Sequence, residues 1–298
     1  MSNRLLAAIR ERVLLGDGGM GTQLQQAGLQ PGECGEAWNL THPERVLAVQ
    51  RRYVEAGSDC LITNTFGGSP IMLARHGQAE ATAEINAAAA RIAREAFGDR
   101  DGFVLGDIGP FGGLMEPFGD VTEQEVRDAF RQQADALVAA GVDAVIVETQ
   151  TALDELRAGV EAARAAGATC VIGSMAYDAA PGRDAVRTMM GVGPEQAAQF
   201  MQELGVDIVA MNCGSGIDAS RAADVVRAYS QACDLPTMAQ PNAGRPELVD
   251  GQVVYRQSAD EMAAQLPDLL EAGVRIVGAC CGSTPEHIAK FRAVLDAR

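Results

Sequence analysis

Three cysteines occupy positions in this sequence where metal chemistry is to be expected. Cys280 and Cys281 are adjacent and follow the apolar run 274–279, which is typical of a buried strand, and a predicted helix start follows them. Cys213 follows a second apolar run, 206–211. Three thiolates at one edge of a sheet suit zinc, which favours tetrahedral sulfur coordination. A set of only three protein ligands is typical of a catalytic zinc with an open fourth position.

Small buried core residues are the alternative interpretation for any of the seven cysteines. We favour that alternative for Cys34, Cys60, Cys170 and Cys233, whereas placement at strand ends favours the metal interpretation for the other three. An odd number of cysteines and an N-terminus without the features of a secretory signal predict reduced thiols or metal ligands, not a disulfide framework. The three histidines fit less well as ligands, and we predict that they lie at the surface: His42, His76 and His287.

Two carboxylates also follow predicted apolar strands. Asp17 and Glu148 would each be costly to bury without a compensating charge, and the ammonium group of a ligand is one such partner. Ordinary loop or helix-capping roles are the alternative, and the residues alone leave both open. The glycines within 16–21 have the G-x-G-x-x-G spacing of dinucleotide-binding proteins, but the next predicted strand begins more than 40 residues later. We therefore predict that the loop with Gly18 and Gly19 lies against a small ligand instead.

The elements that position these residues come from a repeated αβ unit. A helix ending in Ala-Gly or Leu-Gly is followed by a short apolar strand in four segments: 55–63, 140–148, 204–211 and 272–279. Four further strands are predicted at about 12–16, 103–107, 169–174 and 235–239. Helices are predicted near 42–56, 78–97, 122–140, 152–166, 194–204, 218–233, 258–272 and 284–296. Eight strands alternating with eight helices, without a linker, predict one α/β domain over residues 1–298, a (β/α)8 TIM barrel; a doubly wound open sheet remains the alternative.

Local signals refine this outline at helix starts and at one loop. Three capping boxes are predicted, at Thr41 with Glu44, Thr122 with Glu125 and Ser258 with Glu261. Asp250 and Gly251, between two β-like runs, predict a small hairpin in the loop after the seventh strand. Because long loops after barrel strands are usually binding loops, we expect this segment to lie near the site.

The composition argues against several classes of partner. The chain has 24 basic and 40 acidic residues, a net charge of −16, which argues against a nucleic-acid surface. It has no run of about 18 or more apolar residues of the kind that crosses a membrane. We therefore expect a cytoplasmic protein with no nucleic-acid and no membrane partner.

Seven motifs together resemble the homocysteine S-methyltransferase family, over about residues 12–292. They are Gly16-Asp17-Gly18-Gly19-Met20-Gly21-Thr22, Thr63-Asn64-Thr65-Phe66, Gly106-Asp107-Ile108-Gly109-Pro110, Glu148-Thr149, Asn212-Cys213, Pro241-Asn242-Ala243-Gly244 and Gly278-Ala279-Cys280-Cys281-Gly282. The chain is most similar to the homocysteine-binding first module of cobalamin-dependent methionine synthase. Betaine– and S-methylmethionine–homocysteine methyltransferases are more distant relatives.

The resemblance implies a specific site and reaction. It implies a barrel with one zinc ion held by Cys213, Cys280 and Cys281, with the sulfur of homocysteine as the fourth ligand. It also implies that Asp17 and Glu148 hold the amino group of homocysteine, that Gly18 and Gly19 lie beside its carboxylate, and that Asn212 supports the site from behind. Since zinc binding deprotonates a thiol and the thiolate is the nucleophile, the implied reaction is methyl transfer to sulfur, which gives methionine.

The methyl donor is left open by the residues. Methionine synthase carries further modules, and we expect this chain to end after the first, so a separate corrinoid protein carrying methylcobalamin is the favoured donor. Betaine or S-methylmethionine is the alternative, although one Trp and four Tyr offer few rings for a quaternary ammonium; Tyr177 and Tyr255 are the candidates. Two other classes remain: a zinc-dependent barrel lyase or aldolase, disfavoured because such sites use harder ligands, and a non-catalytic subunit that binds homocysteine.

Overall fold

Eight parallel strands form the inner wall of the fold in this computed structural model, which describes residues 3–179, 185–249 and 252–298. The strands are β1 (Leu14–Leu15), β2 (Cys60–Ile62), β3 (Phe103–Ile108), β4 (Ala144–Gln150), β5 (Val171–Met175), β6 (Ile208–Asn212), β7 (Thr237–Gln240) and β8 (Ile276–Val277). Their order in the sheet is β1-β8-β7-β6-β5-β4-β3-β2, and every neighbouring pair is parallel. Because each strand lies beside its sequence neighbours and β8 returns to β1, the predicted TIM barrel is confirmed and the doubly wound sheet is excluded.

Hydrogen bonds made by Asp59 and Asp17 complete the barrel wall between β1 and β2. The backbone N–H of Asp59 donates to the Leu15 carbonyl at 2.7 Å, and the Asp59 carboxylate accepts from the Leu15 N–H at 2.9 Å. Two residues after Leu15, the Asp17 carboxylate accepts from the Ile62 N–H at 2.8 Å. These bonds replace the regular ladder where β1 and β2 meet, and they fix Asp17 at the carboxyl end of the wall.

Eight helical stretches follow the strands, as the sequence predicts. They are α1 (Pro43–Glu55), α2 (Thr82–Phe97), α3 (Glu123–Ala139), α4 (Leu153–Ala165), α5 (Pro194–Leu204), α6 (Ala219–Ala232), a seventh stretch in two pieces (Ala259–Ala264 and Leu266–Glu271) and a last helix, Pro285–Asp296. The seventh stretch breaks at Gln265 because Pro267 has no N–H to continue the helical bonding. In the part of the chain that the structure describes, no helix has both the length and the apolar character needed to span a membrane.

Several short elements were not predicted from the sequence. They are the helices Arg4–Glu11, Met20–Gln26, Trp38–Thr41 and Pro70–Ala74, and the hairpin of Asp178–Ala179 with Val186–Arg187. The start of the helix predicted near 78–97 is a separate 3-10 turn, Ala79–Ala81. The first helix is capped by Asn3, and its Leu5 and Ile9 pack with Cys60 and Phe103 at the amino ends of the strands. It therefore closes the end of the barrel opposite the predicted site.

The predicted hairpin after the seventh strand is present as an antiparallel pair. Glu247–Val249 pairs with Gln252–Val254. The predicted turn residues, Asp250 and Gly251, lie outside the described residues. The pair lies in the loop between β7 and the seventh helical stretch.

A change from apolar to polar residues along the strands builds the floor of the site. Alternate residues of a strand point to the same side of the wall. The lower interior contains Leu105, Ile146, Ile172, Ala210 and Met238. Two residues further along each of these strands are the buried polar residues Asp107, Glu148, Ser174, Asn212 and Gln240. We call these five residues the polar layer; it lies inside the barrel at the carboxyl ends of the strands.

The predicted capping role of Thr41 is wrong. Thr41 does not cap a helix: it ends Trp38–Thr41, its hydroxyl donates to the Ala37 carbonyl, and α1 begins after His42. The capping boxes at Thr122 and Ser258 are present.

His287 is buried, not at the surface as predicted. Its ring bonds to Thr284 in a reciprocal capping arrangement and lies 3.1 Å from the Gln257 carbonyl. A histidine can therefore serve as the third residue of a capping box, which the sequence rule for Glu or Gln does not anticipate.

Candidate metal centre and active site

A cavity of about 380 Å³ opens at the carboxyl ends of the strands, above the polar layer. Its walls come from the ends of β1 to β4 and β6 to β8 and from the segment between β1 and α1. Residues that line it include Asp17, Gly18, Gly19, Glu36, Thr65, Phe66, Asp107, Glu148, Cys213, Cys280 and Cys281. Seven of the eight residues for which a site role was expected are thus gathered around one space.

One wall of the cavity carries the three predicted thiols. The sulfur atoms of Cys213, Cys280 and Cys281 all lie within 4.8 Å of one another, and those of Cys280 and Cys281 are 4.0 Å apart. Zinc bound tetrahedrally at about 2.3 Å holds its sulfurs about 3.8 Å apart, so the spacing and the chemistry of this donor set fit zinc. Cys60, Cys170 and Cys233 are buried in the core, and Cys34 is half-buried.

An unusual backbone conformation turns the Cys213 thiol toward the other two. Cys213 has a φ of 56°, in the left-handed region that side chains other than glycine rarely adopt. Gly214 follows with a φ of 89°, and a Cβ there would collide with the Tyr177 carbonyl. Cys280 is held in turn by its N–H, which donates to the Pro241 carbonyl at 2.9 Å. Such strained residues persist where surrounding structure enforces them, and they concentrate at functional sites.

The three thiols do not share charge equally. Hydrogen bonds from the thiols of Cys280 and Cys281 lower the pKa of Cys213 far below its usual value, while the same contacts raise the pKa values of Cys280 and Cys281. The amide of Asn242 also supports the Cys213 thiolate, and its oxygen is buried without a hydrogen-bond partner among the described residues. The cluster therefore favours negative charge at Cys213, as a cation-binding group would require.

The same cavity is lined by buried carboxyl groups from the ends of β1, β3 and β4. Asp17, Asp107 and Glu148 are between 2% and 8% exposed. Burial raises the pKa of Asp17 to about 7, and burial together with the charges of Asp17 and Cys213 raises the pKa of Glu148 to about 8. No arginine or lysine lines the described cavity, so these carboxyls lack a cationic partner within it. A ligand with a positive charge would stabilise their ionised forms.

The loop with Gly18 and Gly19 packs against the segment that carries Cys280. A Cβ at Gly18 would lie 2.6 Å from the Ser283 hydroxyl oxygen, and a Cβ at Gly19 would lie 2.8 Å from the Cys280 carbonyl. The Gly19 N–H donates to the Ser283 hydroxyl at 3.0 Å, and the Tyr53 hydroxyl donates to the Gly19 carbonyl at 3.3 Å. Glycine is required here because the loop packs directly against the segment that carries Cys280.

Asn212 lies behind the cavity wall and contacts the residues that form it. Its amide oxygen accepts from the Ser174 hydroxyl and the Thr149 N–H, and its amide nitrogen donates to the Thr149 hydroxyl at 2.7 Å. The same nitrogen is 3.9 Å from the Cys280 sulfur. Asn212 is fully buried and contacts Thr149 and, at 3.9 Å, the sulfur of Cys280.

Sequence reasoning gave no role to three residues that the structure places at the cavity. Asp107 belongs to the same strand-end layer as Glu148, and its position two residues after Leu105 was a usable signal. Thr149, with a φ of 57°, lines the wall, but nothing in its sequence context predicts that conformation. Glu36 lies in the segment between β1 and α1, and its carboxylate accepts from the Gly67 N–H at 2.8 Å.

Comparisons with known proteins agree with this geometry. The profile of the homocysteine S-methyltransferase family matches residues 14–295. The methionine synthases of Mycobacterium leprae and Mycobacterium tuberculosis are each 32% identical to the chain over 303 residues, which cover 98% of the chain and 25% of the relative. The chain thus spans a quarter of the length of these relatives.

A solved structure shares the fold at lower identity. The metallated form of the homocysteine methyltransferase MmuM from Escherichia coli superposes with a TM-score of 0.79 at 22% identity, covering 97% of this chain and 99% of that one. Fold and site together define a TIM-barrel methyltransferase. The chain belongs to the homocysteine S-methyltransferase family, which confirms the resemblance found in its motifs.

Proposed function

We propose that this barrel, over residues 1–298, is a zinc-dependent homocysteine S-methyltransferase that forms methionine. One observation carries the proposal: a cluster of three sulfurs and a group of carboxyls without an arginine or lysine line the same cavity. A ligand that satisfies both groups has a soft, metal-binding atom and a cation. Homocysteine, with its thiol and its α-ammonium group, has that arrangement.

The thiolate wall would hold the metal. Cys213, Cys280 and Cys281 would bind zinc, which lowers the pKa of a coordinated thiol so that the nucleophilic thiolate persists at neutral pH. The Cys213 and Cys280 backbones are fixed by β7 and the loop after it, through the Gln240 and Pro241 carbonyls, so the sulfurs are held in position before any ligand arrives. Fixed positioning favours an in-line approach of the donor methyl group.

The other side chains would bind and orient the amino acid. Asp17 and Glu148 would accept hydrogen bonds from the ammonium group, whose charge offsets the cost of ionising them in a buried site. The loop with Gly18 and Gly19 lets the ligand carboxylate approach the backbone closely. Asn212 would hold Thr149 and Cys280 in fixed positions relative to each other.

Exposed apolar residues around the cavity support a protein-bound methyl donor. In the described part of the chain, the large apolar side chains that remain exposed all follow strand ends β1, β2, β3, β5 or β7, and we call them the apolar collar: Leu40, Phe66, Leu114, Phe118, Met189, Met190, Leu248 and Val253. Phe118, Met189 and Leu248 are more than 70% exposed. Apolar side chains exposed together on the loops at one end of a barrel would suit a macromolecular interface. We therefore propose a corrinoid protein carrying methylcobalamin, acting in trans, as the donor.

Small quaternary or sulfonium donors have less support. Tyr177 is fully buried, and its hydroxyl is bonded to that of Tyr229 at 2.7 Å, so it cannot line a cage. Phe66 is the one aromatic residue among the described residues that line the cavity. Tyr255 lies beside Gly282 and Cys281, outside that lining. Betaine and S-methylmethionine remain the second candidates because one or two rings still contribute to binding a cation.

A donor comparison tests the proposal. Zinc-loaded protein is incubated with L-homocysteine and, separately, methylcobalamin, betaine, S-methylmethionine or methylfolate, and methionine is measured. We expect steady methionine formation with methylcobalamin. Turnover with betaine or S-methylmethionine alone would show that the donor is that small molecule and not methylcobalamin. Homocysteine binding without turnover of any donor would identify a non-catalytic binding subunit, and turnover of a carbonyl substrate would identify a zinc barrel lyase.

A further inference from the structure

Asp107 is held rigidly in the polar layer with its carboxyl at the cavity. Its N–H donates to the Thr63 hydroxyl at 3.0 Å, and its carbonyl accepts from the Thr65 hydroxyl at 2.7 Å and from the Gln133 amide at 3.0 Å. All of these partners are buried. The Asp107 backbone therefore cannot move its carboxyl out of the cavity.

The Asp107 carboxyl has no protein group to compensate its charge. It is 2% exposed, and its Oδ1 has no hydrogen-bond partner in residues 3–179, 185–249 and 252–298. Asp17, by contrast, receives the Ile62 N–H. The charged groups that act on Asp107 are all acidic, Glu148 from β4, Asp17 from β1 and Glu36 from the segment after β1. Burial and these neighbours raise its pKa well above the ordinary value.

Such a carboxyl is neutral until a cation reaches it. A buried carboxylate without a donor or a counter-charge is strongly unfavourable, so the free protein keeps the proton on Asp107. An ammonium group has three N–H donors, whereas Asp17 and Glu148 account for two of them. The third donor would bind the Asp107 carboxyl, which also lines the cavity.

We propose that Asp107 is a third ammonium-binding residue of this cavity and that it releases its proton to solvent when the ammonium group of an amino acid binds. This inference rests on the proposed function, which makes the ligand an amino acid. The carboxyl O–H bond breaks, the proton passes to water, and the carboxylate accepts an N–H from the ammonium group; no electrons are transferred. Because binding releases a proton, affinity rises with pH while the free protein still holds that proton.

Calorimetry of the zinc-loaded full chain tests the proposal with L-methionine, which has the ammonium group but no thiol proton to confuse the count. Titration in phosphate and in Tris, whose ionisation heats differ, gives the protons released per ligand. We expect Asp107→Asn to release about one proton fewer than the wild type and to bind at least about tenfold more weakly. The analogue 4-(methylthio)butanoate, without the ammonium group, should bind weakly and release no proton.

Glu155→Gln is the matched control. Glu155 is a buried carboxyl whose pKa is also raised, to about 7, but it accepts from the Phe111 N–H at 2.8 Å and does not line the cavity. That variant should keep the wild-type proton count. An unchanged count in Asp107→Asn overturns the inference and leaves the proposed function standing.

Two further outcomes are decisive. A wild-type protein that binds neither L-methionine nor L-homocysteine overturns the proposed function and this inference together. If Asp107→Asn does not fold, the double variant Asp17→Asn with Glu148→Gln decides, because it removes the other two carboxyls whose raised pKa values would release protons in the same range. Proton release on L-methionine binding that persists in this variant supports the role of Asp107, and its complete loss overturns it.

Discussion

The two ends of the barrel treat acidic residues beside the strands in opposite ways. At the amino end, Asp59, Asp143 and Asp207 each stand directly before a strand. Asp59 accepts from the Leu15 N–H and pairs with Arg12 and Arg292. Asp143 accepts from the Val104 N–H and pairs with Arg94. Asp207 accepts from the Val171 N–H and pairs with Arg164. At the carboxyl end, Asp17, Asp107 and Glu148 have no arginine or lysine in the described cavity lining.

The difference separates structural from functional carboxyls. The pKa of Asp59 is lowered, because hydrogen bonds and arginine charges outweigh its burial, whereas burial raises the pKa values of Asp17 and Glu148. Compensated acids stabilise the fold. Uncompensated acids in a rigid cavity reduce stability unless a ligand supplies the missing charge, so they mark the place where a cation binds.

Removing one ligand of the sulfur cluster should have the largest effect. In Cys281→Ala we expect zinc content to fall from about one ion per chain to near zero and methyl transfer to fall by at least about a thousandfold, because two thiolates cannot retain the metal. Folding should persist, since the site lies on loops above the core. Metal analysis, a methionine assay and circular dichroism measure the three properties; Cys233→Ala is the control. A Cys281→Ala protein with full zinc content would contradict the assignment.

Neutralising a cavity carboxyl should weaken ligand binding without loss of stability. Glu148→Gln removes a partner of the ammonium group, and we expect the Kd for L-homocysteine to rise about 10- to 100-fold, or roughly 1.4 to 2.7 kcal/mol. Unchanged affinity in calorimetry would mean that Glu148 does not bind the ammonium group.

The free energy of unfolding should depend on pH in opposite directions through Glu148 at the carboxyl end and Asp59 at the amino end. A raised folded-state pKa means that folded Glu148 binds its proton more tightly than unfolded Glu148, so its contribution is lost as pH rises toward about 8. Glu148→Gln should therefore melt higher than the wild type at pH 8 in ligand-free protein. Asp59 has a lowered pKa, so its contribution is present at neutral pH and lost as pH falls through its folded-state value.

Asp59→Asn should accordingly have a free energy of unfolding about 1–3 kcal/mol lower than that of the wild type at pH 7, and therefore a lower melting temperature. The difference should shrink in acid. Thermal unfolding of both variants between pH 3 and 8 measures this. Two variants that shift the melting temperature in the same direction at pH 8 would break the distinction between the ends.

Changing the apolar collar should have the smallest and most selective effect. Phe118→Ser combined with Leu248→Ser removes two of its most exposed side chains. We expect kcat/KM for methylcobalamin held on a corrinoid protein to fall about five- to tenfold, while free methylcobalamin is used at the wild-type rate. Equal loss with both donors, or no loss with the protein-bound donor, would remove the support for a protein donor.

Much of this arrangement could be predicted from the sequence because short-range patterns encode it. The repeated Ala-Gly and Leu-Gly helix ends, followed by apolar strands, predict the barrel, and Cys213, Cys280 and Cys281 fall at strand ends that a closed barrel brings together. Period two along a strand also predicts that Glu148 and Asp107 share a layer with their inward neighbours. Glu148 was singled out because it follows an apolar strand, and the same criterion at the end of β3 would have identified Asp107.

The remainder depends on contacts between distant segments. The left-handed conformations of Thr149 and Cys213 are enforced by neighbouring strands, and no propensity predicts them. Glu36 reaches the cavity because the segment after β1 folds back over it, with two short helices that lack clear capping signals. His287 is buried because it bonds to Gln257, 30 residues earlier in the chain.

The central claim is that a ligand thiol completes the three-sulfur site. X-ray absorption at the zinc edge of purified, zinc-loaded protein measures the number of sulfur ligands directly. The account predicts three sulfurs in free protein and four after addition of L-homocysteine, with no increase after addition of L-methionine at the same concentration. A sulfur count that stays at three with L-homocysteine would contradict it.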